Sequence, residues 1–378
     1  MSLKKDFFKL LHKIKSFILQ RQFKSFKDNY FKNNFSKTKK LIMIFVPSDT
    51  DRINGGILSI CTIHSVIKEL KHIHNCDVVA SFLPFKNETD YKYRNFENDM
   101  IIFTFKEIAT YFKDLEFVEI HIPDVMITTF KKENKKMLSF FKWVEQLAMV
   151  KVNILNQNDL FMPPSEDIEN LKNIFPDITM TVAHEQYLTP EKREYYGMPI
   201  HQLSPWLSPV PYKKRKLAEK ENLILYSPDK IQSVPNGSTI TKKEIISTLE
   251  KKLKHYKFIE IKNMKYDVYK DYASRSKFAI TFGEGLDGYY TETVYSGGIS
   301  FAVYNEIFFT KEFENLHSLY KSFDELLKKI ITDINYFENE ENYNRYNDVQ
   351  NTILSKMYSF EKLKLNVEQF YLNNFDIK

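Results

Sequence analysis

The chain has 378 residues, of which 43% are hydrophobic and 28% are charged, and its formal net charge is +6. This length allows one large domain or two ordinary ones, and the composition is typical of a soluble globular protein with a substantial core. No run approaches about eighteen uncharged apolar residues, so no membrane-spanning helix is predicted, and the N-terminus lacks the apolar stretch and cleavage site of a signal peptide.

The first 40 residues are strongly basic and contain a helical pattern of apolar residues. They carry twelve lysines and arginines against two acids, a net charge of +10, which leaves −4 for the rest of the +6 chain. Four apolar residues recur at the spacing of one helix face: Phe7, Leu11, Ile14 and Ile18. The aromatic residues from 23 to 31 can extend this helix. Two interpretations stay open: a helix packed on its own domain, or an arm in which residues 1–36 bind an anionic membrane surface.

The first predicted strand, residues 41–46, is followed by a loop that ends in Gly55 and Gly56 and by a helix over residues 57–70. A glycine pair between the first strand and the first helix is typical of the phosphate-side loop of a Rossmann-like domain. The spacing is not Gly-x-Gly-x-x-Gly, so a dinucleotide site is not favoured.

Strands and helices continue to alternate up to residue 203. The predicted strands are residues 77–82, 100–105, 117–122, 150–155, 178–183 and 200–203, and the predicted helices are residues 133–149 and 166–175. His121 and His184-Glu185 fall near the carboxyl ends of strands, where open α/β sheets bind ligands, although a lone histidine is more often structural.

A proline-dense segment, residues 204–211, marks the best domain boundary. The sequence therefore divides into a basic arm (1–40), an N-terminal Rossmann-like domain (41–205), a linker (206–222), a C-terminal Rossmann-like domain (223–357) and a last helix (358–378). Predicted strands of the second half are residues 223–226 and 258–261, and predicted helices are residues 241–253, 266–274, 315–334, 339–357 and 359–374.

The most informative stretch, residues 277–305, predicts a strand, a glycine-rich loop, a short helix and a second strand. The loop contains Gly283, Gly285 and Gly288, which allow backbone to approach a ligand, and the following helix N-terminus offers N–H groups to an anion. Glu284 and Glu292 frame the loop. Acids at a helix start are common because they suit the helix dipole, so the pair alone is ambiguous.

The order of these elements resembles the nucleotide-sugar site of GT-B glycosyltransferases with a Glu-x7-Glu motif, which are retaining and family 4-like. The matching residues are Glu284-Gly285-Leu286, Thr291-Glu292 and Ser296-Gly297-Gly298. Gly288-Tyr289-Tyr290 stands where that family usually has Gly-Leu-Pro-Pro. The resemblance implies a GT-B fold, with two Rossmann-like domains facing a cleft and the last helix crossing back to the first domain.

The resemblance also implies roles for single residues. Glu284 would hold the donor sugar and act in catalysis together with His121, a donor-sugar contact, while Glu292 would bind the ribose. The other expected donor-binding residues are Gly55, Gly56, Lys230, Gly283, Gly285, Tyr290 and Thr291. No arginine occupies the family's diphosphate position, so Lys242 or Lys243 can substitute there as point charges.

The implied function is a glycosyltransferase of the hexosyltransferase type that moves a sugar from a nucleotide-sugar to a saccharide or lipid-linked acceptor. With the basic arm, this predicts a cytoplasmic enzyme on the inner face of the membrane that builds lipopolysaccharide, O-antigen or capsule. No nucleic-acid partner is expected, because the body of the chain is not basic. A sugar-nucleotide epimerase and a non-catalytic scaffold are the alternatives.

No cofactor and no metal are expected. The only cysteines, Cys61 and Cys76, lack Cys-x-x-Cys spacing, which argues against structural zinc and favours a reducing compartment. Asp49-Thr50-Asp51 has the spacing of a metal-binding acid pair, but short motifs recur by chance and its context does not fit.

Overall fold

The computed structural model describes residues 2–86, 90–206, 208, 211–231 and 240–378, with side chains from residue 18 onward apart from that of Asp159. Two parallel β-sheets organise these residues, and strands alternate with helices along the chain. The predicted α/β class is therefore confirmed.

The first sheet has the strand order β3-β2-β1-β4-β5-β6-β7, with every neighbouring pair parallel. Its strands are Lys40–Phe45 (β1), Asp77–Ser81 (β2), Ile102–Phe103 (β3), Phe117–Pro123 (β4), Met149–Asn156 (β5), Ile178–Val182 (β6) and Ile200–Gln202 (β7). Residues 41–45 are wholly buried. Their unbroken apolar run is what a parallel strand covered on both faces requires.

The helices of the first domain, by which we mean the first sheet and the layers packed on it, cover both faces of the sheet. They are Ser2–Asn34 (α1), Gly55–Glu69 (α2), Lys71–His74 (α3), Phe105–Tyr111 (α4), Leu138–Val144 (α5), Ser165–Ile174 (α6) and Pro190–Tyr196 (α7). Helix α2 begins at Gly55 because the Asn54 side chain accepts a hydrogen bond from Ile57 N at 2.9 Å.

The second sheet, which forms the second domain with its helices, has the order β12-β11-β10-β8-β9 and is also parallel. Its strands are Glu221–Tyr226 (β8), Lys257–Glu260 (β9), Ser276–Ile280 (β10), Ile299–Val303 (β11) and Leu319–Tyr320 (β12). The helices of the second domain are Lys242–Lys252 (α8), Tyr266–Arg275 (α9), Gly288–Tyr295 (α10), Phe323–Tyr336 (α11) and Glu340–Met357 (α12), and they are followed by a last helix, Phe360–Tyr371 (α13).

Helix α1 corrects the expected extent of the basic arm. Its C-terminal part packs on the first domain, where Phe31 stacks on Tyr111 with ring centroids 4.5 Å apart. The Lys27 ammonium lies 2.6 Å from Glu107 and is almost wholly buried. Of the aromatic residues from 23 to 31, Tyr30 and Phe31 therefore pack against the core of the first domain, whereas Phe26 is 41% exposed. The part of α1 before about residue 20 stays the candidate for a membrane surface. Among the described helices, none is long and apolar enough to cross a membrane.

Two helix predictions were wrong in part. Within residues 133–149, only Leu138–Val144 is α-helical, after a short 3₁₀ turn. Within residues 315–334, the helix begins at Phe323, because Ser322 accepts a hydrogen bond from Glu325 N and caps it. The residues before that cap, Leu319 and Tyr320, pair with β11 instead, so the sheet edge satisfies their backbone groups.

The last helix, α13, lies against the first domain. Lys364 lies 2.9 Å from Glu69 of α2, and the Asn366 carbonyl accepts a hydrogen bond from His201 of β7 at 2.7 Å. Ile377 pairs with Ile200 as an antiparallel bridge. The chain therefore passes from the first domain to the second and returns.

Candidate active site

The carboxyl ends of the two sheets meet in one interface. After β5, Asn158 Nδ2 donates a hydrogen bond to Oε1 of Glu284, which follows β10, at 2.6 Å. After β6, Gln186 Nε2 donates to the carbonyl of Phe308, which follows β11, at 3.4 Å. Because parallel α/β sheets bind ligands at the carboxyl ends of their strands, this interface is the candidate active site.

The glycine-rich loop between β10 and α10 is fixed by close packing. Gly285 has φ +88°, and a Cβ there would lie 2.7 Å from a ring carbon of Phe309 and 3.0 Å from the Val303 carbonyl oxygen. Its own carbonyl accepts a hydrogen bond from Thr281 Oγ1 at 2.7 Å. Gly285 is thus required for backbone conformation and packing, and its expected contact with a diphosphate stays a prediction.

Two further carboxyl groups, those of Asp229 and Asp287, act on Glu284 and the start of α10. Burial raises the pKa of Glu284, the neighbouring Asp229 raises it further, and the hydrogen bond from Asn158 lowers it. Asp287 is the N-cap of α10 and accepts a hydrogen bond from Tyr290 N at 3.0 Å, yet burial holds its pKa well above the usual value. Gly283 packs against Asp229, since a Cβ there would approach Asp229 Cβ to 3.1 Å. Glu284 and Asp287 therefore hold a proton more tightly than ordinary carboxyl groups do.

Glu292 is buried in the second turn of α10. Its Oε1 accepts a hydrogen bond from Tyr266 OH at 2.7 Å, and its Oε2 lies 3.6 Å from Lys270 Nζ but has no hydrogen-bond partner among the described residues. Burial raises the pKa of Glu292 to about 7, against the opposing effects of Lys270 and Tyr266. The Tyr266 ring also packs edge-on against Phe96 of the first domain, at 6.3 Å. Glu284 therefore lies at the interface, and Glu292 lies directly behind it, beneath Tyr266.

The glycine pair of the first domain lies beside the same loops. The Gly56 carbonyl accepts a hydrogen bond from Gln157 Nε2 at 3.0 Å, and Gln157 precedes Asn158 in the chain. A Cβ at Gly56 would lie 2.9 Å from Gln157 Oε1. The structure thus brings Gly55-Gly56 and Glu284 together around the end of β5.

The lysines expected to bind a diphosphate differ in their surroundings. Lys230 is exposed just after β8, and much of the loop beyond it lies outside the described residues. Lys242 is already engaged, because its Nζ donates to the Pro228 carbonyl and to Glu260 Oε1, both at 2.9 Å. Lys243 is exposed at the start of α8. Lys230 and Lys243 are therefore better placed than Lys242 to meet an anion.

Tyr290 and Thr291, two of the expected donor-binding residues, are buried within the second domain. Tyr290 is wholly buried, and its hydroxyl accepts a hydrogen bond from Gln350 Nε2 at 2.8 Å. Thr291 is buried and donates to the Gly288 carbonyl at 3.3 Å. These contacts make both residues part of the support of α10.

His121 lies away from this interface, contrary to the expected donor-sugar contact. Strand β4 continues to Pro123, so His121 is inside the strand, fully buried beneath α13. Its Nε2 lies 2.8 Å from Glu119 Oε1 and 3.2 Å from Tyr371 OH, and its Nδ1 accepts from Asn153 Nδ2 at 3.2 Å. Because both of its ring nitrogens contact core residues, His121 has a structural role.

Two residues at strand ends are better placed, and neither is among the predicted catalytic or donor-binding residues, although His184 is predicted to lie at a strand end. Asp124 directly follows β4 and is 3% exposed. His184 follows β6 and accepts or donates a hydrogen bond with Tyr358 OH at 3.0 Å, while burial lowers its pKa to about 4. The sequence indicates both residues only by their position just beyond a predicted strand, which is also the feature that favours His121.

The acids of the first loop make protein contacts. Asp51 Oδ2 lies 2.5 Å from Arg94 NH2, and Thr50 donates to Asp90 at 2.9 Å. Among the described residues, no group of three or more histidines, cysteines or acids is placed to hold a metal ion.

Comparison with known proteins identifies the fold. No family profile and no curated protein matches the sequence. Among solved structures, sucrose-phosphate synthase from Thermosynechococcus elongatus superposes with a TM-score of 0.51 at 9% identity, covering 89% of this chain and 99% of that one. Anabaena HepE in complex with UDP gives a TM-score of 0.51 at 7% identity, covering 88% of this chain and 100% of that one.

These likenesses extend over both sheets and nearly the whole length of each neighbour. Identities this low establish the fold alone. The chain has the two-domain GT-B fold of glycosyltransferases, as the sequence predicted.

Proposed function

We propose that this chain is a glycosyltransferase of the Glu-x7-Glu, retaining, family 4-like type. It transfers a sugar, of the hexosyl class, from a nucleotide-sugar to a saccharide or lipid-linked saccharide. The observation that carries the proposal is the meeting of Glu284 with Asn158 across the two domains, because a donor sugar held by one domain must react with an acceptor held by the other. The UDP bound in HepE is consistent with a nucleotide-sugar donor.

The two glutamates have separate roles in this proposal. Glu284 accepts hydrogen bonds from the donor sugar at the interface. Glu292 accepts hydrogen bonds from the ribose through Oε2, the buried oxygen that lacks a hydrogen-bond partner among the described residues. A buried acceptor without a partner costs free energy, so a ligand hydroxyl that fills it is bound more tightly.

The leaving diphosphate needs positive charge or N–H groups as negative charge develops on it. Lys230 supplies the charge, with Lys243 nearby in sequence, and the Gly283 and Gly285 backbone and the Gly55-Gly56 loop line the approach. Asp229, Glu284 and Asp287 also lie in this region. Burial favours the neutral form of Asp287 by raising its pKa, which reduces the negative charge that would oppose an anion.

A nucleotide-sugar screen tests the function. The full-length protein is incubated with a panel of nucleotide-sugars, with and without saccharide acceptors, and hydrolysis, transfer and epimerisation are measured separately. Each reaction is run with and without EDTA, and activity is expected to survive EDTA because the proposal includes no metal. Transfer supports the proposal. Epimerisation without an acceptor identifies an epimerase, and the lack of any reaction or nucleotide binding identifies a scaffold.

An exposed apolar surface beside the interface favours a lipid-linked acceptor. Val125 is 57% exposed, Leu160 59% and Phe161 58%. In the sequence, Val125 follows Asp124, and Leu160 and Phe161 lie just after Asn158. A hydrogen bond from Asn158 N to Asp124 Oδ2 joins the two loops that carry them. Large apolar side chains exposed beside a binding site offer a surface that a lipid can contact.

The double substitution Leu160→Ser/Phe161→Ser tests that surface. We expect the KM for a lipid-linked acceptor to rise about ten-fold or more, since burying each large apolar side chain contributes about 1.5–3 kcal/mol. Donor hydrolysis is expected to change little. The matched control is Leu138→Ser, at a leucine of α5 that is 50% exposed. An unchanged KM in the double variant would contradict the lipid-linked acceptor.

We propose that the N-terminal part of α1 places the enzyme on the inner face of a membrane in lipopolysaccharide, O-antigen or capsule synthesis. Residues 2–17 carry five lysines and one acid, and Ile18 and Leu19 beyond them are 49% and 40% exposed. The packed part of α1 holds this segment to the first domain, which also carries the exposed apolar surface.

Deletion of residues 2–17 is expected to release the protein from anionic vesicles while donor hydrolysis is kept. Each lysine near an anionic surface contributes about 1 kcal/mol, and the attraction is screened by salt over about 8–10 Å. Cosedimentation with vesicles of anionic phospholipid at low and high salt measures the effect. A longer deletion to residue 36 is unsuitable, because it removes Lys27 and Phe35 from the core. Equal sedimentation of full-length and shortened proteins would show that the segment does not bind membranes.

A further inference from the structure

The loop after β5 is fixed by a single buried carboxylate. Asp124 Oδ2 accepts hydrogen bonds from Asn156 Nδ2 at 3.0 Å, from Gln157 N at 2.9 Å and from Asn158 N at 3.4 Å. Its Oδ1 accepts from Val125 N at 2.7 Å. A carboxylate that accepts several N–H groups holds their backbone in one conformation, because any movement leaves a buried charge without partners.

Asn158 projects from this loop, and its contacts determine which way its side-chain amide faces. Its Oδ1 accepts a hydrogen bond from Leu160 N at 3.0 Å, so the Nδ2 group is the one that faces Glu284 Oε1, at 2.6 Å. Its backbone carbonyl accepts from Asn156 Nδ2 at 3.0 Å. Asn158 is 7% exposed, so this donor is presented to Glu284 in a nearly dry interface, where hydrogen bonds are stronger than in water.

Glu284 needs such a donor. The ionisable groups that act on it or around it are Asp229 after β8, Asp287 at the start of α10 and Tyr358 after α12, and none of these carries positive charge. Among the described residues, the Glu284 carboxylate accepts a side-chain hydrogen bond from Asn158 across the interface. One carboxylate oxygen is thereby fixed, and the other is left to accept from a ligand.

We propose that Asn158, held by Asp124, is a positioning residue that aligns Glu284 with the donor sugar when the two domains close. This inference rests on the proposed function. The bond joins side chains of different domains, so it forms only when those domains are in contact. In this proposal, the contact that closes the cleft also orients the Glu284 carboxylate. Glu284 therefore reaches its catalytic position only when the cleft is closed and water is excluded.

The first test compares Asn158→Asp with wild type. The aspartate keeps the Leu160 N contact but places a second carboxylate against Glu284. We expect kcat to fall about ten- to hundred-fold, in line with the loss of a hydrogen bond to a charged group, with affinity for free nucleoside diphosphate within about two-fold. The matched control is Asn335→Asp, which adds the same charge at an exposed residue of α11.

The second test uses the pH dependence of kcat in Asn158→Ala. Ionised Glu284 is the form that accepts hydrogen bonds. Its pKa is raised by burial and by Asp229 and lowered by Asn158, so removing Asn158 raises it further. The loss of activity on acidification should therefore begin at higher pH in Asn158→Ala than in wild type, an effect that a purely structural role would not produce.

A double-mutant cycle completes the experiment. In a Glu284→Gln background, Asn158→Ala should have little additional effect on kcat, because its action passes through Glu284. Independent, multiplying effects, or an unchanged kcat and pH profile in a folded Asn158→Ala, would overturn the inference. If wild type turns over no nucleotide-sugar, the proposed function itself fails. Small-angle scattering still tests whether the Asn158–Glu284 contact holds the two domains together. Asn158→Asp should have a larger radius of gyration than wild type, and an equal radius would overturn the inference.

Discussion

Glu284→Gln is expected to lower turnover by about a hundred-fold or more, while affinity for free nucleoside diphosphate changes little. The carboxamide can keep the contact with Asn158 through its oxygen, but it then presents an NH₂ group where the second carboxylate oxygen was. An electrostatic contact that matters most in the transition state costs about 10²–10³ in kcat when it is removed. Single-turnover kinetics measure the chemical step, and calorimetry with free nucleoside diphosphate measures binding.

The control for this variant is Glu250→Gln, an exposed glutamate of α8. It should match wild type in both measurements. Turnover of Glu284→Gln within about three-fold of wild type would show that Glu284 is only an interdomain contact, and the assignment of the Glu-x7-Glu type would lose its main support.

Glu292→Gln is expected to fail in a different way, by weakening the donor and the free nucleoside diphosphate together. The ribose is present in both ligands, so the loss appears in binding. A hydrogen bond to a charged group contributes roughly 1.5–3 kcal/mol, which corresponds to about ten- to hundred-fold in affinity. Calorimetric titration with both ligands measures it. Unchanged affinity for nucleoside diphosphate would remove Glu292 from the ribose site and leave it as the partner of Tyr266 and Lys270.

The same residue gives the protein a pH-dependent stability. Burial raises the folded-state pKa of Glu292 from 4.5 to about 7, so between these values the folded state binds a proton that the unfolded state has released. This contribution, roughly 3 kcal/mol, is fully present below about pH 4.5 and is lost as the pH rises to about 7. Denaturant unfolding across that range should show the fall in wild type and a flatter profile in Glu292→Gln.

Much of the architecture could be read from local patterns. Apolar runs such as residues 41–46 predict buried parallel strands, and the glycine-rich loop between two such runs predicts the unit from β10 to β11. One further signal was in the sequence but was overlooked. Thr189 caps α7, Pro190 begins it and Gly197 ends it at φ +62°, a combination typical of a short helix.

Other predictions failed because tertiary contacts decided them. The spacing of apolar and basic residues in α1 suits a membrane arm and a packed helix equally. Only the contacts of Phe31 with Tyr111 and of Lys27 with Glu107 show that its second half packs on the first domain. His121 and Asp124 are neighbours at one strand end, and the choice between them depends on where β4 ends and what covers it.

The sequence by itself determined the element order, the glycine-rich loop and the two glutamates, because these depend on residues close together in the chain. Only the tertiary structure decided which side chains meet Glu284. Asn158 lies 126 residues away on the other domain, and Asp124, which holds it, is a further 34 positions earlier. No local pattern records such a pairing, because the energy of a contact depends on the folded position of both partners and not on their separation in sequence.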